Sequence, residues 1–129
     1  MRTISYILTA FIIFISFSFS AYGQTYLISD TQINTCSGTI YDTGGASSNY
    51  GNNEEFTMLV CSDNGSVISL QFTQFNLASG DLISIYNGAG LTNLLVSGTG
   101  TELNGQTIEA VVDCITIVWS TNASGVAAG

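Results

Sequence analysis

The side chains of this sequence that could take part in chemistry are carboxylates and little else. Its 129 residues hold five Asp and four Glu against a single basic side chain, Arg2, and no His. A Ser-His-Asp or Cys-His device therefore has no base, and a zinc site lacks imidazole. Neutralising a phosphate backbone needs Lys or Arg, so nucleic acid is excluded as a partner, and an anionic membrane surface is excluded for the same reason. Two uses remain for the carboxylates: a pair for acid–base work, or oxygen ligands for a hard cation such as calcium. Asp42 with Glu54-Glu55 could be proposed as a glycosidase pair. Nothing aligns them, both lie in loop-like sequence, and they read as solvated surface. The net charge of −8 keeps an exported chain soluble by like-charge repulsion.

Export is expected from the first residues. Arg2 precedes an apolar run from Ile7 to Phe19 and a small-x-small site at Ala21-Tyr22-Gly23. This is the pattern of a secretory signal peptide over 1–23, cut before Gln24. The run is short for a membrane span and is interrupted by Ser16, Ser18 and Ser20. No membrane insertion of the mature chain is expected. Three cysteines, Cys36, Cys61 and Cys114, in an exported chain point to at least one disulfide and one cysteine left over.

Strands must position these groups. In Ser66–Gly88, Ile68, Leu70 and Phe72 alternate with Ser69, Gln71 and Thr73, and Ile83 and Ile85 repeat the pattern after a polar break at Ala78–Gly80. Period two gives two antiparallel strands with one buried face each, which a second sheet must cover. Asp63-Asn64-Gly65 is a hairpin signal leading into the first of them. Phe56, Met58 and Val60 share one face of another strand. Ile115, Ile117 and Trp119 share one face of the strongest, with Trp119 as core anchor. Residues 24–35 read as a leader or edge strand. Gly and Asn dominate the stretch from Cys36 to Asn53, a loop with fixed turns. Asn64-Gly65-Ser66 and Asn122-Ala123-Ser124 have the form of glycosylation sites and read as turns. No helical period follows the leader, so the fold class is all-β, a sandwich or barrel.

Cys36, Gly38, Asp42-x-Gly44-Gly45, Tyr50-Gly51-Asn52-Asn53 and Cys61 come first in an ordered set. Ile68-x-Leu70-x-Phe72-x-x-Phe75, Asp81-x-Ile83-x-Ile85-x-Asn87-Gly88 and Ile115-x-Ile117-x-Trp119-Ser120-x-Asn122-x-Ser124 complete it. This set resembles the CUB domain, in the form found in secreted and surface proteins of bacteria, over 36–129. The resemblance implies a β-sandwich of two antiparallel sheets with jelly-roll-like topology, with a final strand missing past Gly129. It implies a disulfide between Cys36 and Cys61, worth about 3–4 kcal/mol of loop closure, and leaves Cys114 either to a cysteine beyond Gly129 or as a free buried thiol on the Ile115 strand. Many members hold calcium. Carried residue by residue, Asp81 keeps its ligand, Asn122 offers a neutral oxygen and Ala78 offers none, so no cofactor is expected beyond a weak calcium site at Asp81 and Asn122.

The family is a binding module and not a catalyst, so the expected function is non-enzymatic: contacts with extracellular proteins or glycans, within a larger secreted or surface protein. Tyr41, Tyr50 and Tyr86 are the expected contact residues. The alternative is an accessory domain of a secreted protease or glycan hydrolase whose catalytic domain lies beyond Gly129.

Overall fold

The computed structural model describes residues 23–129, so the expected signal peptide lies, save for Gly23, outside the described residues. Those residues form nine strands: β1 (Gln24–Leu27), β2 (Gln32–Asn34), β3 (Gly38–Tyr41), β4 (Glu55–Cys61), β5 (Ser69–Gln71), β6 (Leu82–Asn87), β7 (Leu94–Gly98), β8 (Thr107–Glu109) and β9 (Cys114–Ser120). Five make one sheet, in the order β2-β4-β9-β6-β7, while β1-β3 and β5-β8 are separate two-stranded ribbons. The alternation in β4, β6 and β9 determines what faces inward. Met58 and Val60, Ile83 and Ile85, and Ile115, Ile117 and Trp119 are all buried. Against them pack Tyr26 of β1, Ile40 of β3, Leu70 of β5 and Ile108 of β8. The ribbons thus form the second layer of an all-β sandwich. Fully burying a side chain such as Ile85 or Met58 contributes about 1.5–3 kcal/mol.

Two features depart from the sequence reading. The sheets are not purely antiparallel, because β2 joins β4 parallel and β1 joins β3 parallel. The stretches around Leu70 and Ile83 also do not pair with each other: β5 pairs with β8, and β6 pairs with β9 and β7. Asp63-Asn64-Gly65 is therefore a crossing between layers and not a hairpin. Its turn is held by Ser62 Oγ and Asn64 Oδ1, the latter accepting from Ser66 N at 3.0 Å, while Ser62 Oγ accepts from Ser66 N at 3.1 Å.

The disulfide is the main correction. Cys61 pairs with Cys114, not with Cys36. β4 and β9 are antiparallel neighbours whose register places Cys61 directly opposite Cys114, with Cα atoms 4.1 Å apart. Cys36 lies exposed past β2 as a free thiol. Cys114 needs no partner beyond Gly129.

For residues 24–129, peptide mapping without reduction should recover a Cys61–Cys114 cross-link and an alkylatable Cys36. A Cys36–Cys61 peptide would contradict the strand register. Cys61→Ala with Cys114→Ala should lower unfolding free energy by about 2–5 kcal/mol, and Cys36→Ser should change it by less than about 0.5 kcal/mol.

Candidate functional site

Three loops meet at one end of the sandwich: 42–54 between β3 and β4, 78–81 ahead of β6, and 121–124 after β9. A carboxylate buried there cannot find a cation in this composition, and an unpaired buried charge is costly. The loops meet that demand with neutral donors.

Asp81 is 1% exposed. Its Oδ2 accepts from the Tyr50 hydroxyl at 2.6 Å, and its Oδ1 accepts from the Asn122 backbone N–H at 2.8 Å. The Tyr50 hydroxyl in turn accepts from Ala78 N at 2.7 Å. Asn122 closes the ring: its Nδ2 donates to Ser79 O at 2.8 Å and its Oδ1 accepts from Ser124 N at 2.7 Å. Gly80 has a φ of 89°, and a side chain there would run into the Asn122 amide, so the 78–81 loop needs glycine at this position.

Glu54 is a second hub. Its Oε1 accepts from Thr43 Oγ1 at 2.6 Å and from Gly51 N at 3.0 Å, and its Oε2 accepts from Trp119 Nε1 at 3.0 Å. Thr121 adds a clasp, accepting from Glu54 N at 2.8 Å and donating to Gly51 O at 2.9 Å. Tyr50 and Trp119 meet edge to face, ring centres 5.0 Å apart, directly beneath. Asp42 holds the third loop contact: Oδ1 accepts from Gly44 N at 2.8 Å and Oδ2 from Gly129 N at 2.9 Å. Burial pushes the Asp42 carboxyl above its ordinary range, helped by the Glu54 charge and opposed by the glycine N–H groups. Burial also pushes the Tyr50 hydroxyl up to about 12, with the Asp81 carboxylate adding to it.

The expected site residues are redistributed by this geometry. Asp81 and Asn122 do come together, but as donor and acceptor to each other and not as two ligands. O–H and N–H donors occupy both Asp81 oxygens, Ala78 contributes an N–H, and no group of three His, Cys, Asp or Glu among the described residues could hold a metal ion. The donor set does not fit calcium. Tyr50, expected as a contact residue, is 2% exposed and belongs to the core. Tyr41 and Tyr86 are half-buried and lie in different layers, on β3 and β6, so they form no common patch. Asp42 and Glu54, read as solvated surface, are anchors. The signal for Glu54 was Trp119 itself, whose indole N–H needs an acceptor when buried. Both Asn-x-Ser triplets are turns, each Asn Oδ1 accepting from the Ser backbone N–H.

Tyr50 predicts an alkaline transition. Its hydroxyl ionises near pH 10 when unfolded and near 12 when folded. The folded state then binds the proton more tightly, so the stabilisation is fully present below pH 10 and is lost as pH rises through 12. A denaturant titration series should show Tyr50→Phe losing about 2 kcal/mol of the wild-type fall in stability over that window. Identical slopes in both proteins would contradict the buried hydroxyl. Adding calcium or EDTA should leave the melting temperature of either protein unchanged.

No protein-family model matches the chain, and no curated protein matches it. Solved structures do. The full extracellular region of zebrafish Gpr126/Adgrg6 is similar with a TM-score of 0.67 at 13% identity, over 79% of this chain and 14% of that one. The CUB1-EGF-CUB2 domains of rat MASP-1 are similar with a TM-score of 0.61 at 19% identity, over 74% of this chain and 37% of theirs. The chain thus spans much less than half of either structure, and the likeness gives it a CUB-like fold.

Proposed function

We propose that this chain is a non-catalytic binding module that works outside the cell, making contacts with proteins or glycans as one part of a larger secreted or surface polypeptide. The observation that carries this reading is the use to which the loop carboxylates are put. Asp42, Glu54 and Asp81 each have both oxygens held by structural donors. None is left poised as a general acid, base or nucleophile. What they produce is a rigid loop end. The exposed residues Ser47–Asn49, Asn52, Asn53 and Ala123–Gly125 are carried on anchors that cannot shift independently. A pre-ordered polar surface loses little entropy when it binds. The similarity to the extracellular region of zebrafish Gpr126/Adgrg6 and the internal disulfide agree with work outside the cell.

Residues 24–129, immobilised and probed with extracellular matrix proteins and a glycan array, should retain a specific binder and turn over none. Replacing the exposed Asn52 and Ala123 with Arg should weaken that binding by at least about tenfold, equal to 1.4 kcal/mol, with the melting temperature unchanged. Hydrolysis of a bound glycan or protein, or binding that ignores both substitutions, would contradict the proposal.

A further inference from the structure

Asn precedes Gly at three places: Asn64-Gly65, Asn87-Gly88 and Asn104-Gly105. Such a pair can react with itself, because glycine has no side chain to shield its backbone nitrogen from the neighbouring amide carbon. The Gly N–H loses its proton and the nitrogen bonds to Asn Cγ. The Cγ–Nδ2 bond breaks, and Nδ2 leaves with that proton as ammonia. Water then opens the cyclic imide at either of its carbonyls. One opening gives aspartate. The other gives isoaspartate, with the main chain routed through the former side chain.

The fold treats the three pairs differently. Gly88 N donates to Cys114 O at 2.9 Å and Gly105 N to Phe72 O at 2.7 Å, so both nucleophiles are tied to a neighbouring strand or its flank. Their asparagines are tied as well. Asn87 Oδ1 accepts from Val111 N at 2.8 Å, and Asn104 Oδ1 accepts from Phe75 N at 3.1 Å. Each of these junctions must open before it can react. Asn64 and Gly65 are exposed, and Gly65 N donates to no acceptor among the described residues. Space is open on the side where a Cβ of residue 65 would stand.

The Asn64 amide is also primed. Its Oδ1 accepts from Ser66 N at 3.0 Å, which draws the side-chain carbonyl across the Gly65 peptide. Ser62 Oγ donates to the same Oδ1 at 2.6 Å. The two donors polarise the carbonyl and receive the charge that develops on Oδ1 as nitrogen attacks, the work of an oxyanion hole. Asn122 makes the same turn through Ser124 N. There the next residue is Ala123, and the leaving Nδ2 is held by Ser79 O at 2.8 Å.

We propose that Asn64-Gly65 is a self-modifying site, which converts to aspartate and isoaspartate in the folded protein while Asn87 and Asn104 stay protected. Ser62 is its positioning residue. Either product adds a negative charge beside Asp63 in the crossing from β4 to β5, in a chain whose only basic side chain is Arg2. Isoaspartate also lengthens the main chain of that crossing by a methylene.

The purified protein, held folded at mildly alkaline pH and sampled over time, is digested and mapped by mass spectrometry. Electron-transfer fragmentation separates aspartate from isoaspartate. Asn64 should convert at least about tenfold faster than Asn87 or Asn104, since those two must first open locally. In denaturant the three rates should converge to within about threefold, because the fold no longer distinguishes them. Ser62→Ala should slow Asn64 by at least about threefold in the folded protein and leave its rate in denaturant unchanged. Comparable folded-state rates at the three sites, an intact Asn64, or a Ser62→Ala rate equal to or above wild type would each overturn the proposal. An excess at Asn64 that persists in denaturant would place the cause in the local sequence and overturn it as well.

Discussion

A carboxylate buried in a chain that has no Lys, Arg or His past its first residues must be held by hydroxyl and amide groups. Much of this structure follows from that constraint. Asp81 is almost fully buried and is shared between Tyr50 and the backbone of Asn122. Hydrogen bonds to a charged acceptor are the stronger kind, about 1.5–3 kcal/mol each. Losing one strands a charge in the core. The Tyr50 ring packs on Trp119 while its hydroxyl spans Asp81 and Ala78, so one side chain joins the apolar core to the 42–54 and 78–81 loops, and Asp81 carries the link on to Asn122. Glu54 repeats the arrangement through the Trp119 indole.

These contacts also explain how β9 is positioned. It is the central strand of the five, between β4 and β6. At its start Cys114 is bonded to Cys61 of β4. Just past its end Thr121 is clasped to Glu54 and Gly51, and Asn122 to Asp81. A covalent link at one end and a polar cage at the other hold the strand's register. That register in turn keeps Ile115, Ile117 and Trp119 on the inner face, since a slip of one residue would turn all three outward. The loop end that presents exposed polar residues is thus built on the most constrained strand of the molecule.

Much of this was legible in the residues. The inner faces of β4, β6 and β9 follow directly from period-two alternation at Met58 and Val60, at Ile83 and Ile85, and at Ile115, Ile117 and Trp119. What local pattern could not convey was which strands become neighbours. Asp63-Asn64-Gly65 marks a chain reversal equally well whether the next strand pairs or crosses to the other layer. The same ambiguity hid the disulfide, because the partner of Cys61 depends on β9 lying beside β4 and not on spacing along the chain. Asp42 and Glu54 read as solvated because an acidic side chain among Gly and Asn usually is. Their anchoring role depends on Gly51, Trp119 and Gly129, which are remote in sequence or invisible as donors. Tyr50 was misread for the same reason: its hydroxyl partner lies 31 positions away.

The central claim is that the neutral-donor cage around Asp81 is an energetic unit and not a set of incidental contacts. A double-mutant cycle on Tyr50→Phe and Asp81→Asn, read by denaturant unfolding near neutral pH, tests it most directly. The account predicts a coupling energy of about 1.5–3 kcal/mol, the range for a hydrogen bond to a buried charge. Strictly additive effects would contradict it, and would mean that each side chain is held by its other neighbours alone.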